Sequence, residues 1–232
     1  MACIIHIETA TNVCSVAVSQ GDELIFYKEE TEGPSHAKLL GVFVEEAIKY
    51  IKGKGLKPDA VAVSSGPGSY TGLRIGVSEA KGLCYGLNIP LIAIETLEIM
   101  THQVIKENTF DPSVMFCPMI DARRMEVYDT IFDSNLTKQK ETTADIVDEN
   151  TFDEWLANNR IVFFGNGADK CREVISSANA IFLDNIYPRA KDMIPLALKA
   201  YSSKNFVDTA YYEPFYLKDF VATTPKNKVL FG

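Results

Sequence analysis

The 232-residue sequence predicts an α/β protein of two lobes that carry the same order of elements. Three observations predict it. Near the N-terminus, Cys3–Glu8, Val13–Ser19 and Glu23–Glu29 are period-two runs separated by short turns, which read as an antiparallel meander. A second meander, Val114–Ile120, Glu126–Asp133 and a weaker run at Leu136–Thr142, opens the other half. After each meander come a helix, a short apolar strand, a glycine-bearing turn and a further helix. With 47% hydrophobic and 23% charged residues, close to ordinary globular usage, these patterns belong to a packed core.

The first two strands meet at Thr9-Ala10-Thr11-Asn12, and Gly21-Asp22 turns the chain into the third. Gly33-Pro34 breaks the meander, and Ser35 is placed to cap a helix running to about Lys52. In that helix Leu40, Val44, Ala47, Ile48 and Ile51 form one apolar stripe. Leu39, Val42, Phe43 and Tyr50 widen it beyond what a single core contact needs. Asp59–Ser65 is a short apolar strand, Gly66–Gly72 a loop, and Leu73 to about Leu87 a helix. Leu91–Ile94 reads as a strand and Thr96–Lys106 as a helix. In the second half, Thr151–Asn158 reads as a short helix capped by Thr151, with Glu154 at the capping-box position. Ile161–Phe164 is a buried-type strand, Gly165-Asn166-Gly167 a turn into the helix Ala168–Ser176, Ala180–Leu183 a strand and Met193–Ser202 a helix. From Asn205 onward, Tyr211, Tyr212, Phe215 and Tyr216 give the tail an apolar density suited to packing. Such a duplicated βββαβα unit is the architecture of the actin, hexokinase and chaperone-ATPase superfold. Residues 1–108 form the N-terminal lobe with partner-binding helices. Residues 109–232 form a smaller C-terminal lobe, partly degenerate, whose tail packs back.

Charge and residue counts narrow the function. With 23 Lys+Arg against 31 Asp+Glu the chain carries −8, so it repels nucleic acid unless a partner supplies positive surface, and it does not suit an anionic membrane. The cysteines, Cys3, Cys14, Cys84, Cys117 and Cys171, are odd in number and form no CxxC pair, which reads as reduced thiols in the cytoplasm. The start has no basic region and only a short apolar run, unlike a signal peptide, and no stretch approaches a spanning helix. His6, His36 and His102 are the only histidines and no two lie three or four apart, so no His-rich metal site is expected. Neither a Gly-x-Ser-x-Gly elbow nor a Cys–His signature is present.

The strongest local signal is Ser64–Gly76, in which a Gly-rich turn, Gly66-Pro67-Gly68-Ser69-Tyr70-Thr71-Gly72, follows a strand and feeds a helix. Backbone N–H groups at such a helix start favour an anion. The loop lacks the lysine of a P-loop, and a tight turn that lets strand and helix pack closely explains the same residues. In the helix, Gly72, Gly76 and Ala80 lie on one ridge, with Gly82 and Gly86 nearby. Each mid-helix glycine costs about 1 kcal/mol relative to alanine, so a close backbone neighbour is expected. A subunit surface shared with the 35–52 helix and packing against the chain's own sheet both satisfy that. The interface reading takes His36, Leu39, Leu40, Phe43, Gly72, Ile75, Gly76, Glu79, Ala80 and Leu83. At the first hairpin, Glu8-Thr9-Ala10-Thr11 stands where the superfold cradles phosphate with Asp-x-Gly-Thr; the second hairpin has Asp121-Ala122-Arg123. Side chains at Ala10 and Ala122 hinder backbone contact with a phosphate. Glu8, Thr9, Thr11, Gly66, Gly68, Ser69, Thr71, Asp121 and Arg123 therefore outline a vestigial nucleotide site, while Asp121 and Arg123 pairing across a turn is the simpler alternative.

These residues resemble the TsaB (YeaZ) family of bacterial tRNA threonylcarbamoyladenosine biosynthesis proteins. The resemblance is carried by Gly66–Gly76, Ala80-Lys81-Gly82-Leu83, Asn88-Ile89-Pro90-Leu91, Glu8-Thr9, His36 with Leu39-Leu40, Asp121-Ala122-Arg123 with Glu126-Val127-Tyr128, and Tyr216-Leu217-Lys218-Asp219. It spans nearly the whole chain and is weakest between about Ser134 and Asn159. It implies a non-catalytic scaffold that activates a TsaD-like catalytic paralogue by heterodimerising with it. A TsaE-like ATPase joins the larger complex, which attaches threonylcarbamoyl to adenosine of tRNAs that read ANN codons. It also implies that tRNA is met only through the complex and that no cofactor is held; for the chain alone, the surplus surface of the 35–52 and 72–86 helices leaves monomer and two-fold homodimer both open. The paralogue binds metal through two histidines four apart; the matching positions here are Thr96 and Met100. A kinase or ATPase of the same superfold and a peptidase are the competing enzyme readings; the first needs intact phosphate hairpins and the second a nucleophile, metal pair or acid dyad.

Overall fold

The computed structural model describes residues 1–32 and 36–218. Gly33-Pro34, the expected cap Ser35 and Asp219 lie outside the described residues. The first half runs β1 (Cys3–Glu8), β2 (Cys14–Gln20), β3 (Glu23–Glu30), α1 (His36–Gly53), β4 (Ala60–Ser64), α2 (Tyr70–Leu87), β5 (Leu91–Ile94) and α3 (Thr96–Glu107). The second runs β6 (Met115–Asp121), β7 (Glu126–Phe132), β8 (Lys138–Ile146), α4 (Asp153–Leu156), β9 (Ile161–Phe164), α5 (Ala168–Cys171) and β10 (Ala180–Leu183). A 3₁₀ turn, η1 (Ala190–Met193), then leads into α6 (Ile194–Ser202).

Each half builds one five-stranded sheet. The orders are β3-β2-β1-β4-β5 and β8-β7-β6-β9-β10, the same topology twice. In each, the meander is antiparallel; β4 and β9 join the meander's first strand in parallel, and β5 and β10 extend the sheet in parallel beyond them. The predicted two-lobed actin-like α/β class is what the sheets show.

Period-two alternation sorts the core. Ile5, Ile7, Val16, Val18, Val61 and Val63 face α1 and α2, while Ile4, Ala60, Ala62, Ile92 and Ile94 face the other way. That second face is covered by α6, from the far end of the chain, through Leu196, Ala197 and Ala200. Helix α3 serves both sheets. Ile99 packs on the first, and Leu97, Met100 and Val104 pack on Phe116, Ile120, Val162 and Phe164 of the second. On its other face the second sheet buries Cys117, Met119, Val127 and Phe163 against α4 and α5.

Several boundaries differ from expectation. Helix α2 begins at Tyr70, three residues early, because the Ser69 hydroxyl accepts from Gly72 N at 3.2 Å and caps it. Leu136 takes φ +60° in a turn, so β8 starts only at Lys138 and continues to Ile146. Thr151 does not cap α4; its hydroxyl donates to Asp148 Oδ1 at 2.8 Å, and the helix holds only Asp153–Leu156. Helix α5 ends at Cys171, giving way to turns in which Val174 and Ile175 both donate to Cys171 O. The five cysteines are free and buried.

Candidate functional site

Both glycine turns pack tightly against neighbouring protein atoms. Gly66 takes φ +104°, and a Cβ there would meet Phe215 O at 2.7 Å. A Cβ at Gly68, Gly72 or Gly76 would come closer than 3.0 Å to Ala10 O, Thr9 O or Thr9 Oγ1 respectively. Ser69 N donates to Ala10 O at 2.7 Å, and the Thr9 hydroxyl donates to Gly72 O at 2.8 Å. The glycines therefore let α2 and its leading loop lie directly on the β1–β2 hairpin. In the second lobe, Gly165 (φ +102°) and Gly167 occupy the same places: one faces Met119 O and the other the backbone of Ile120 and Asp121. In both lobes the glycine Cα faces lie against protein backbone, so close packing of helix and hairpin accounts for the glycines.

The first hairpin carries a buried acid. Glu8 is fully buried and takes the Ala10 amide at 2.5 Å, while its second oxygen has no hydrogen bond. Burial pushes its carboxyl up to about 7, against the hydrogen bond from the Ala10 amide that holds it down. Thr9 and Thr11 are buried; Thr71 is exposed on the first turn of α2. At the second hairpin, Asp121 does not form an ion pair with Arg123. Its carboxylate pairs with Lys170 and accepts Arg123 N at 3.1 Å, and its own amide donates to Asn166 Oδ1 at 3.1 Å. The two groups of residues outlined for one nucleotide site thus sit on separate hairpins, each tied into its own lobe.

The tail connects them. Val207 N donates to Leu91 O at 3.0 Å, and Lys81 Nζ donates to Ala210 O and Tyr212 O at 3.0 Å each. Phe215 N donates to Ser65 O at 2.7 Å, Tyr216 stacks on Tyr70 with centroids 4.8 Å apart, and Lys218 pairs with Glu126 of β7. Of the four tail aromatics, Tyr212 and Tyr216 are half-buried, while Tyr211 and Phe215 are exposed. Beneath residues 212–216 lies an open cavity of about 550 Å³, bounded also by Ser65, Ala93 and Glu95.

Where a metal pair would stand, Thr96 and Met100 are fully buried. Thr96 N donates to Gly66 O at 3.0 Å, and the Met100 methyl lies against Gly165. A thioether in the core and a lone hydroxyl do not fit a hard metal ion. Among the described residues no group of three or more His, Cys, Asp and Glu is placed to hold one.

The expected interface residues divide. Gly72, Gly76, Ala80 and Leu40 are buried inside the chain, and His36 is buried with Nε2 donating to Val13 O at 3.2 Å; these five are corrected from surface to core. Leu39, Phe43, Ile75, Glu79 and Leu83 stay half-buried. Sequence reasoning missed the outward row of α2: Ser78, Gly82 and Gly86 are exposed, and a Cβ at Gly82 or Gly86 would meet nothing within 4 Å. Tyr85, 88% exposed, stands beside that row, and Gly41 and Val42 are exposed on α1. Two glycine rows on one helix, four residues apart along each row, were the available signal.

Two lobes of one topology, each with a glycine turn packed on its own hairpin, define a member of the actin-like α/β class. The chain belongs to the TsaD family, tRNA N6-adenosine threonylcarbamoyltransferase, whose family model matches residues 30–226. Its relatives carry a more particular name. It is 28% identical over 225 residues to the tRNA threonylcarbamoyladenosine biosynthesis protein TsaB of Escherichia coli K12, covering 94% of this chain and 96% of that one. The Haemophilus influenzae protein of the same name is 28% identical over 234 residues, covering 93% of each. Among solved structures, YeaZ from Pseudomonas aeruginosa has the same fold, with TM-score 0.78 at 24% identity over 94% of this chain and all of that one.

Proposed function

We propose that this chain is a non-catalytic subunit in tRNA threonylcarbamoyladenosine biosynthesis, docking on a metal-bearing catalytic paralogue through the outer faces of α1 and α2. The observation that carries the reading is the open row Ser78, Gly82 and Gly86 beside exposed Tyr85. Mid-helix glycines cost about 1 kcal/mol each relative to alanine, and nothing within the described chain offsets that cost at Gly82 or Gly86. A second helix pair packed closely on this face accounts for them. The names of the TsaB relatives supply the pathway, and the closed glycine turns support a role without nucleotide chemistry. The net charge of −8 assigns the tRNA-binding surface mainly to the partner. No helix among the described residues is long and apolar enough to cross a membrane.

A reconstitution with one component omitted tests this. The paralogue, a TsaE-like ATPase, threonylcarbamoyl-adenylate, ATP and tRNA are mixed with and without this chain, and the modified nucleoside is quantified. Modification that requires the chain supports the reading; modification unchanged in its absence overturns it. Turnover of ATP by the isolated chain would instead favour an enzyme of the same superfold.

A further inference from the structure

Although the chain is strongly acidic overall, cations collect at the tip of the β6–β7 hairpin. Arg123 and Arg124 are exposed there, Lys170 reaches in from α5, and Lys218 arrives on the tail. Two acids of this neighbourhood are ion-paired: Lys170 neutralises Asp121, and Lys218 neutralises Glu126. Neither arginine guanidinium has an ion-pair or hydrogen-bond partner among the described residues.

The backbone holds these arginines in an unfavourable conformation. Arg123 takes φ +75° and Arg124 φ +51°, a region that costs roughly 1–2 kcal/mol per non-glycine residue. The turn is fixed around them. Arg123 N donates to Asp121 Oδ1 at 3.1 Å, Ala122 N donates to Glu126 O at 3.0 Å, and Glu126 N donates to Arg123 O at 3.1 Å. Glycine or asparagine would satisfy this turn with less strain. Two long cationic side chains instead stand side by side on a pinned tip.

We propose that Arg123 and Arg124 form a contact for the phosphodiester backbone of RNA. The inference rests on the reading above that the chain acts on tRNA as part of a complex, and it adds a direct RNA contact to that role. Guanidinium groups match phosphate oxygens in a fork geometry. The tip is exposed rather than recessed, and the adjoining Gly165–Gly167 turn is closed by Met119 and Ile120, so a strand passing over the surface fits where a cradled nucleotide does not. Because the rest of the chain repels a polyanion, this cation group marks where one can approach.

The test uses the assembled complex with unmodified tRNA. Its affinity is measured across a series of salt concentrations for the native chain, the R123A/R124A pair and the R123K/R124K pair, with heterodimer affinity and melting temperature followed in parallel. The alanine pair is expected to weaken tRNA binding about tenfold and to lower the salt slope by about 1 to 2, with heterodimer affinity unchanged. The lysine pair keeps the slope, and it decides the matter if the alanine pair lowers the melting temperature. Unchanged tRNA affinity and slope in an intact complex overturn the proposal. So does loss of heterodimer affinity with tRNA binding unchanged, which would assign the arginines to an acidic protein surface. Failure of the parent reading looks different: modification then proceeds without the chain at all, whatever the arginines contribute to RNA affinity.

Discussion

The same chemical change at two places on α2 should have opposite signs. Gly72→Ala puts a methyl closer than 3.0 Å to the Thr9 carbonyl oxygen, which is backbone of a fully buried residue and has no rotamer to change. Overpacking of this kind costs about 1–3 kcal/mol. Any shift also strains the 2.8 Å bond from the Thr9 hydroxyl to Gly72 O, worth about 1 kcal/mol. Helix propensity offsets at most about 1 kcal/mol, so the net is a loss of about 2 kcal/mol. Gly82→Ala meets nothing within 4 Å and gains the propensity alone, about 1 kcal/mol. The two variants should therefore differ by about 3 kcal/mol. Urea denaturation of the isolated chain reads this directly, as midpoints displaced in opposite directions with a common m-value. A neutral Gly72→Ala would refute the claim that the glycine ridge exists to seat α2 on the hairpin.

Three further outcomes follow from the same structure. Glu8 has its folded carboxyl raised from 4.5 to about 7, so the stability it contributes is complete below about 4.5 and is lost as pH rises through 7. Glu8→Gln should match the native chain at pH 4 and exceed it by about 3 kcal/mol at pH 8, read by denaturation at each pH; an equal pH slope in both would sink this account. Asp192 and Asp129, both raised to about 6, keep part of the slope in the variant. Lys140→Met removes the ammonium that binds Asp129 Oδ1 at 2.5 Å and Asp145 Oδ2 at 2.7 Å, stranding a fully buried carboxylate. A loss of about 3 kcal/mol is expected, largely recovered in D129L/K140M, and a single variant as stable as the native chain contradicts it. Val42→Asp and Gly82→Arg change only exposed positions of the α1–α2 face, so melting should shift little while heterodimer affinity falls at least tenfold. Retained affinity, measured by titration calorimetry, would remove this face from the interface.

The strands were the most legible part of the chain because alternation survives wherever one sheet face packs differently from the other. Cys3–Glu8, Leu91–Ile94, Ile161–Phe164 and Ala180–Leu183 have the same bounds by pattern and by hydrogen bonding. Short helices were not legible. Thr151 and Glu154 have the spacing of a capping box, yet Asp148 captures the Thr151 hydroxyl first, and α4 keeps only four residues. Glycine spacing could be read, but direction could not. Gly72 and Gly76 point at Thr9, whereas Gly82 points at open space, and only the three-dimensional placement of the β1–β2 hairpin separates them. His36 shows the same limit: it stands at the start of an amphipathic helix, and its imidazole faces the Val13 carbonyl across the lobe rather than a partner.

The duplicated glycine turns bear on how each crossover helix is seated on its hairpin. Gly66 and Gly165 take nearly the same φ, +104° and +102°, and each lies two residues before a second glycine that touches the opening hairpin of its own lobe. In both cases the glycine meets backbone, at Ala10 in one lobe and Ile120 in the other. This packing positions α2 on the first hairpin and α5 beside the second, where Lys170 pairs with Asp121. The geometry that first reads as an anion site thus works as a joint between crossover helix and hairpin. At the tip of the second hairpin Arg123 and Arg124 remain exposed, on a turn whose φ is positive at both residues.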